Sequence, residues 1–176
     1  MLETERLLLR LPEARDLDGY EPIFTDPDVV RFTGGQTKTR TETALAIGQM
    51  NSHWERYGVG LFSIVRREDE RLIGRAGFLV WDDRWRNGLR HEVEPAETEI
   101  GWMLGREFWG RGYATEAAAA ARDWGLREVG LRRLISLIQV GNDASVRVAE
   151  KLGETLEQED VQGPFARHTD LYSLEA

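Results

Sequence analysis

Two hydrophobic periods run along this chain, one of two residues and one of three to four, and they divide it into strands and helices. RLLLRL (6–11) alternates imperfectly and predicts a first strand. From Asp16 to Asp26, Leu17, Tyr20 and Phe24 stand at helical spacing, and Pro22 is expected to end or kink that helix. Thr39 and Glu42 have the spacing of a capping box, and Ile47, Met50, Trp54 and Tyr57 follow along one face of a second helix. LFSIV (61–65) and RLIGRAGFLVW (71–81) read as strands joined by the charged turn RREDE. In the long connection 82–95, Asn87-Gly88 is a hairpin-turn signal, so an extended β-arm is expected there. A strand over 96–104 leads into a glycine-containing loop and a helix over 115–129, with Ala117, Ala120, Ala121 and Trp124 on one face. A strand follows at 132–140, then a helix at 144–152 capped by Asn142 and stopped by Gly153. Strands near 155–161 and 168–174 finish the chain.

The strands cluster ahead of the central helix, so a uniform parallel βαβ array is not expected. The order fits an α+β fold, with a mixed, mostly antiparallel sheet of about seven strands flanked by about four helices. The 176 residues suffice for one domain with a full core, and no repeat or linker divides them, so 1–176 is read as a single domain.

Composition narrows the function. No apolar run approaches a membrane span, and Arg6 and Arg10 interrupt the first apolar stretch where a signal peptide would need continuity. With no cysteine, disulfides and thiolate chemistry are excluded. His53, His91 and His168 are scattered without metal-ligand spacing, so no metal is expected. A net charge of −8 argues against nucleic acid as a partner and favours approach of a cationic amine. These features fit a cytoplasmic protein without a membrane partner.

Residues 104–117, LGREFWGRGYATEA, carry the strongest chemical signal. They place a glycine-rich loop at the amino end of a helix, where backbone N–H groups lack intrahelical partners and the dipole is positive. Such a loop suits phosphate or pyrophosphate. The dinucleotide pattern G-x-G-x-x-G/A is not met, because Thr115 stands at its third small position, and no Walker-type P-loop occurs. Arg106 and Arg111 are placed to help an anion against the acidic surface.

The run Trp109-Gly110-Arg111-Gly112-Tyr113-Ala114, between a strand and a helix, resembles the R/Q-x-x-G-x-G/A acetyl-CoA loop of the GNAT N-acetyltransferase superfamily, with Trp109 where Arg or Gln is usual. The fuller string FWGRGYATEA looks like the branch that includes the ribosomal-protein alanine N-acetyltransferases. TERLLLRL (4–11), DPDVVRFTGG (26–35) and NDASVRVAEKLG (142–153) extend the likeness across the chain in the right order. The resemblance implies acetyl-CoA as co-substrate and a splay between strands 96–104 and 132–140 that admits the pantetheine arm. It implies that main-chain groups of Met103 and Leu104 hold that arm, and that N–H groups from Gly110 to Thr115 hold the pyrophosphate. Asn142 is placed beside the pantetheine.

Acetyl transfer to an amine needs a held donor, a neutral amine, oxyanion stabilisation and a proton for the thiolate. A lysine-like ammonium costs roughly 4–5 kcal/mol to deprotonate at pH 7, an α-amine only about 1 kcal/mol. Glu97 and Glu99 lie on one side of a strand, and Glu99, nearer the pantetheine segment, is the expected base; a structural pairing with an arginine is its alternative. Ser145 is the expected acid, preferred over Tyr172 on the last strand. Trp81, Trp85 and Trp102 are candidates to line the acceptor pocket, His91 to touch substrate, and Trp85 to form a lid or a homodimer contact. The acceptor is either a protein N-terminal α-amine or a small-molecule amine. A non-catalytic acyl-CoA-binding or sensing module is the competing function; it would keep the loop and need no base.

Overall fold

The computed structural model describes residues 1–81, 97–162 and 168–176. The expected β-arm, with Trp85 and His91, lies outside them. The described strands form one sheet: β1 (Leu2–Glu3), β2 (Leu7–Arg10), β3 (Leu61–Arg66), β4 (Arg71–Trp81), β5 (Glu97–Leu104), β6 (Arg133–Gln139), β7 (Thr155–Gln162) and β8 (His168–Glu175). Their spatial order is β1-β2-β3-β4-β5-β6-β8-β7. Every neighbouring pair is antiparallel except β5 and β6. β4 and β5 pair without a break from Gly74↔Leu104 to Trp81↔Glu97, whereas parallel β5 and β6 meet only at Glu99↔Ile135. The expected splay is this divergence.

Helices cover both faces. Alternation along β4 and β5 sends Phe78, Ile100 and Leu104 to one side, where they pack with Ala117, Ala118 and Ala121 of α4 (Tyr113–Trp124). Met103 and Leu79 go to the other side. There they join Tyr20, Ile23 and Phe24 of α1 (Leu17–Phe24) and Ala46, Ile47 and Met50 of α3 (Arg40–Tyr57). The alanines let α4 pack close to the sheet, against β4 and β5. α5 (Asp143–Leu152) packs beside α4 and over β6.

Local chemistry explains most boundaries. The capping box of α3 forms as expected: Thr39 accepts from the Glu42 amide while Glu42 accepts from the Thr39 amide, and Gly58 closes the helix with φ 69°. Three features differ from the sequence reading. Pro22 does not end α1, which runs on to Phe24. A short α2 (Pro27–Val30) starts from Asp26, whose side chain accepts from the Asp28 amide at 2.9 Å. The helix expected over 115–129 begins at Tyr113, and its last turn, Gly125–Val129, widens to π geometry. In that turn Gly125 lies flat on Phe78, whose ring would be 2.6 Å from any added Cβ. No helix among the described residues is long and apolar enough to cross a membrane.

Candidate active site

Where β5 and β6 part, the sheet opens into a cleft with two lobes. The larger, about 440 Å³, lies between the end of β5, the loop Trp109–Gly112, the first turn of α4 and one side of α5. The smaller, about 130 Å³, reaches among Arg75, Leu79 and Glu99 and along β6. Trp102, Met103, Asn142 and Ser145 line both lobes and form the throat between them.

The loop is built for close approach to its backbone. Gly110 and Gly112 take φ of 72° and 80°, a region that side-chain-bearing residues rarely adopt. A Cβ on Gly110 would meet nothing within 4 Å, so the loop faces open space there. Gly112 caps α4 without a side chain, and the first intrahelical amide is that of Glu116, donating to the Gly112 carbonyl at 3.0 Å. The amides of Tyr113, Ala114 and Thr115 precede it and have no intrahelical acceptor. Trp109 folds back and donates its indole N–H to the Leu104 carbonyl at 2.8 Å. Arg6, which the sequence reading missed, fastens the loop from the first hairpin. It donates to the Arg111 carbonyl at 3.0 Å, pairs with Glu116 at 2.6 Å and lies 4.5 Å over the Tyr113 ring. No local pattern marks that partnership.

The cations differ from expectation. Arg106 is neutralised by Asp26 at 3.2 Å and Asp28 at 2.7 Å and does not line the groove. Arg147 and Lys151, four apart on α5, line it instead. Their spacing on a capped helix was the available signal. The main-chain groups also sort themselves. The Ile100 carbonyl faces β6 and accepts from the Ser136 hydroxyl at 2.9 Å. The Met103 carbonyl is turned to β4, 2.1 Å from where a Cβ on Gly74 would stand. Backbone direction alternates along a strand, so Trp102 and Leu104 share the Ile100 edge. Met103 thus presents its side chain to the cleft, and Trp102, expected only as a side chain, presents its main chain as well.

Glu99 sits at the last bridged position before the strands part. Its carboxylate accepts from the Trp81 indole N–H at 2.7 Å. Burial pushes its carboxyl up to about 7, against the pull of Trp81, the Leu137 amide and the Arg75 charge. Glu97, two residues away, is the structural one: it pairs with Arg133 at 3.1 Å, which also holds Glu157 and Glu175. Asn142 caps α5, accepting from the Ser145 amide at 3.3 Å, and the half-buried Ser145 side chain faces the throat. Tyr172 packs with Ile138 and Ala149 and lines neither lobe. His53 is buried and accepts from the Val80 amide, and His168 stands exposed beside Asp160. Among the described residues no cluster of potential metal ligands occurs.

A second buried carboxyl lies behind β6. The Ser136 hydroxyl is 2.9 Å from the Ile100 carbonyl and 3.0 Å from Glu154 Oε1, and it has one proton to give. Both contacts are satisfied at once only when Glu154 is protonated and donates to Ser136. Burial, the main cause, pushes Glu154 up to about 7, with the Glu99 charge adding to it.

A split sheet beside a glycine-opened helix, with a carboxyl at the point of the split, is neither a dinucleotide fingerprint nor a P-loop. The chain belongs to the acetyltransferase (GNAT) domain family, whose model matches residues 6–155. It is 34% identical over 154 residues to YkkB of Bacillus subtilis, covering 86% of this chain and 83% of that one. It is 31% identical over 152 residues to a Bacillus licheniformis protein described as the uncharacterized N-acetyltransferase p20, covering 86% and 80%. RimL, a ribosomal L7/L12 α-N-protein acetyltransferase solved in complex with coenzyme A, shares the fold with a TM-score of 0.78 at 18% identity, covering 98% of this chain and 95% of that one. The protein is an acetyl-CoA-dependent acetyltransferase of the α+β GNAT fold.

Proposed function

We propose that this enzyme transfers the acetyl group to a primary amine by direct attack in a ternary complex, with Glu99 as general base. The observation that carries the reading is the Glu99 carboxyl, held by Trp81 and the Leu137 amide where β5 and β6 separate and poised at about 7. A base with that pKa is half ionised at neutral pH and still strong enough to accept a proton.

The acetyl-CoA pyrophosphate is read as lying on the amides from Gly110 to Thr115, with Arg111 at the loop surface and Arg147 and Lys151 supplying the positive charge. The loop fits it: positive φ at both glycines and open space at Gly110 leave the amides uncovered. The pantetheine arm then runs along the β5 edge at Trp102 and the Leu104 amide, the Leu104 carbonyl being held by the Trp109 indole, beside the Met103 side chain and Asn142. In the reaction the amine nitrogen bonds to the thioester carbonyl carbon, the carbon–sulfur bond breaks, and the ammonium proton passes to Glu99. Ser145 faces the throat and is the proposed donor of a proton to the departing sulfur. No covalent enzyme intermediate is needed, so positioning supplies much of the rate.

The first test is calorimetry of acetyl-CoA, with NAD and dephospho-CoA as comparators, followed by Glu99→Gln in an amine-acetylation assay. Glu99→Gln is expected to lower kcat about 100-fold while leaving acetyl-CoA affinity within about threefold. Unchanged turnover in Glu99→Gln would remove the assigned base, and a well-folded protein that ignores acetyl-CoA would remove the reading altogether.

A further inference from the structure

Arg75 stands on β4 opposite Met103, on the face of the sheet that also carries Leu79 and Glu99. Its guanidinium lies 5.1 Å over the Phe24 ring, and Nη1 is 3.8 Å from the Met50 sulfur. A thioether is a weak acceptor, so nearly all of the five N–H donors of this cation are uncommitted. Other arginines here behave differently: Arg10 holds Asp16, Arg66 holds Asp69 and Arg133 holds three carboxylates. No carboxylate stands within ion-pair distance of Arg75 among the described residues.

Those donors are not sealed inside protein. Among the described residues the buried side-chain polar atom without a partner is Glu154 Oε2; Nε and Nη2 of Arg75 have no partner and do not share that condition, so they are not fully buried. The N–H groups on Nε and Nη2 therefore open on the smaller lobe, which Arg75 lines together with Thr33, Leu79, Glu99 and Trp102. Two other titratable groups act on it. Tyr20 is neutral, its hydroxyl pushed by burial up to about 12 and bonded to Ser63 at 2.9 Å, and Glu99 acts as a charge at a distance.

We propose that Arg75 receives an anionic group on the acceptor, and that the acceptor is a small amine bearing a carboxylate, held with its nitrogen toward Glu99. This inference rests on the amine-transfer reading for the reaction and adds the substrate class. A guanidinium fork matches a carboxylate in two parallel hydrogen bonds. A partly desolvated cation is costly until an anion joins it, so an anionic acceptor gains where a neutral one does not. A lobe of about 130 Å³ has room for an amino-acid-sized fragment. The net charge of −8 repels anions generally, so a carboxylate has to be drawn by a fixed local cation. In the transfer the N–C bond forms, the C–S bond breaks and the proton goes to Glu99. The carboxylate is unchanged and only orients the amine.

The experiment compares matched acceptors that differ in one group: α-, β- and γ-amino acids, their carboxamides, the decarboxylated amines, and phosphoethanolamine against ethanolamine. Wild type is expected to prefer a carboxylate acceptor over its amide by about 100-fold in kcat/KM, and Arg75→Met to reduce that preference below about 10-fold with acetyl-CoA affinity unchanged. Arg75→Lys should retain an intermediate preference. The N-acetyl amino acid products, titrated without acetyl-CoA, read the site independently: they should raise the melting temperature of wild type and not of Arg75→Met. Equal rates for acids and amides, an unchanged preference in Arg75→Met, or no Arg75-dependent stabilisation by any product would overturn the proposal. A phosphate preference over carboxylate would overturn the class while keeping the cation. Failure of acetyl-CoA to bind would instead strike the transferase reading, leaving the product titration to judge Arg75.

Discussion

Glu97 and Glu99 have the same side chain on the same strand, yet one is neutralised by Arg133 and the other is left at the mouth of the cleft with an indole and an amide for partners. The difference comes from what stands beside each: Arg133 of β6 reaches Glu97, while Glu99 has the Trp81 indole of β4 and the Leu137 amide of β6, and only the pairing of β5 with both neighbours decides this. Glu99 was legible as a base candidate because it sits on the strand leading to the glycine loop. Glu154 was not, because nothing near Leu152-Gly153 announces that the next side chain turns inward beneath Ser136. Its folded pKa, about 7, lies above the ordinary value of 4.5. The stability it contributes is therefore complete below about pH 4.5 and is lost as pH rises through about 7. Glu154→Gln keeps a neutral donor for Ser136 and removes this titration. Thermal melts are expected to show the variant close to wild type at pH 5 and roughly 5 °C more stable at pH 8. Parallel curves would show that Glu154 does not carry the proton. With Glu99 as the proposed base the sign is opposite: activity should rise through about pH 7 as its carboxyl ionises, and that limb should vanish in Glu99→Gln.

The loop and the start of α4 act as one element, and their glycines separate conformation from packing. Gly112 has φ 80° with only the Arg6 guanidinium within 4 Å of an added Cβ, so Gly112→Ala is penalised by backbone strain, at about 1–2 kcal/mol. Gly48 lies inside α3 with nothing within 4 Å, so Gly48→Ala should stabilise by up to about 1 kcal/mol. Denaturant unfolding of the two variants reads the contrast, and calorimetry should show weaker acetyl-CoA binding for Gly112→Ala alone. The capping box of α3 and the Asn142 cap of α5 were readable because such signals are local. The two-residue β1 is too short to show a period, and the π turn after α4 accompanies the packing of Gly125 on Phe78 across the core.

For the molecule as a whole, charge sets a conflict: a net −8 chain has to draw a polyanionic co-substrate. Arg147 and Lys151 concentrate positive charge on one wall of the groove, while Arg106 is consumed by Asp26 and Asp28. Replacing both α5 cations by alanine is expected to weaken acetyl-CoA binding about tenfold at low ionic strength, with most of the loss disappearing at 0.5 M salt. A loss that is independent of salt would assign them to packing. By itself the sequence determined the mixed α+β class, the order of the elements, the glycine loop at a helix start and the caps, because each depends on neighbours along the chain. The tertiary structure decided that β8 enters between β6 and β7, that the β5–β6 ladder is bridged at Glu99↔Ile135 and opens beyond it, and that Arg6 reaches the loop from the first hairpin. It also decided which carboxyls lose their water and which arginines keep a free face. Those outcomes depend on burial and on partners far apart in the chain, and neither is written in any local pattern.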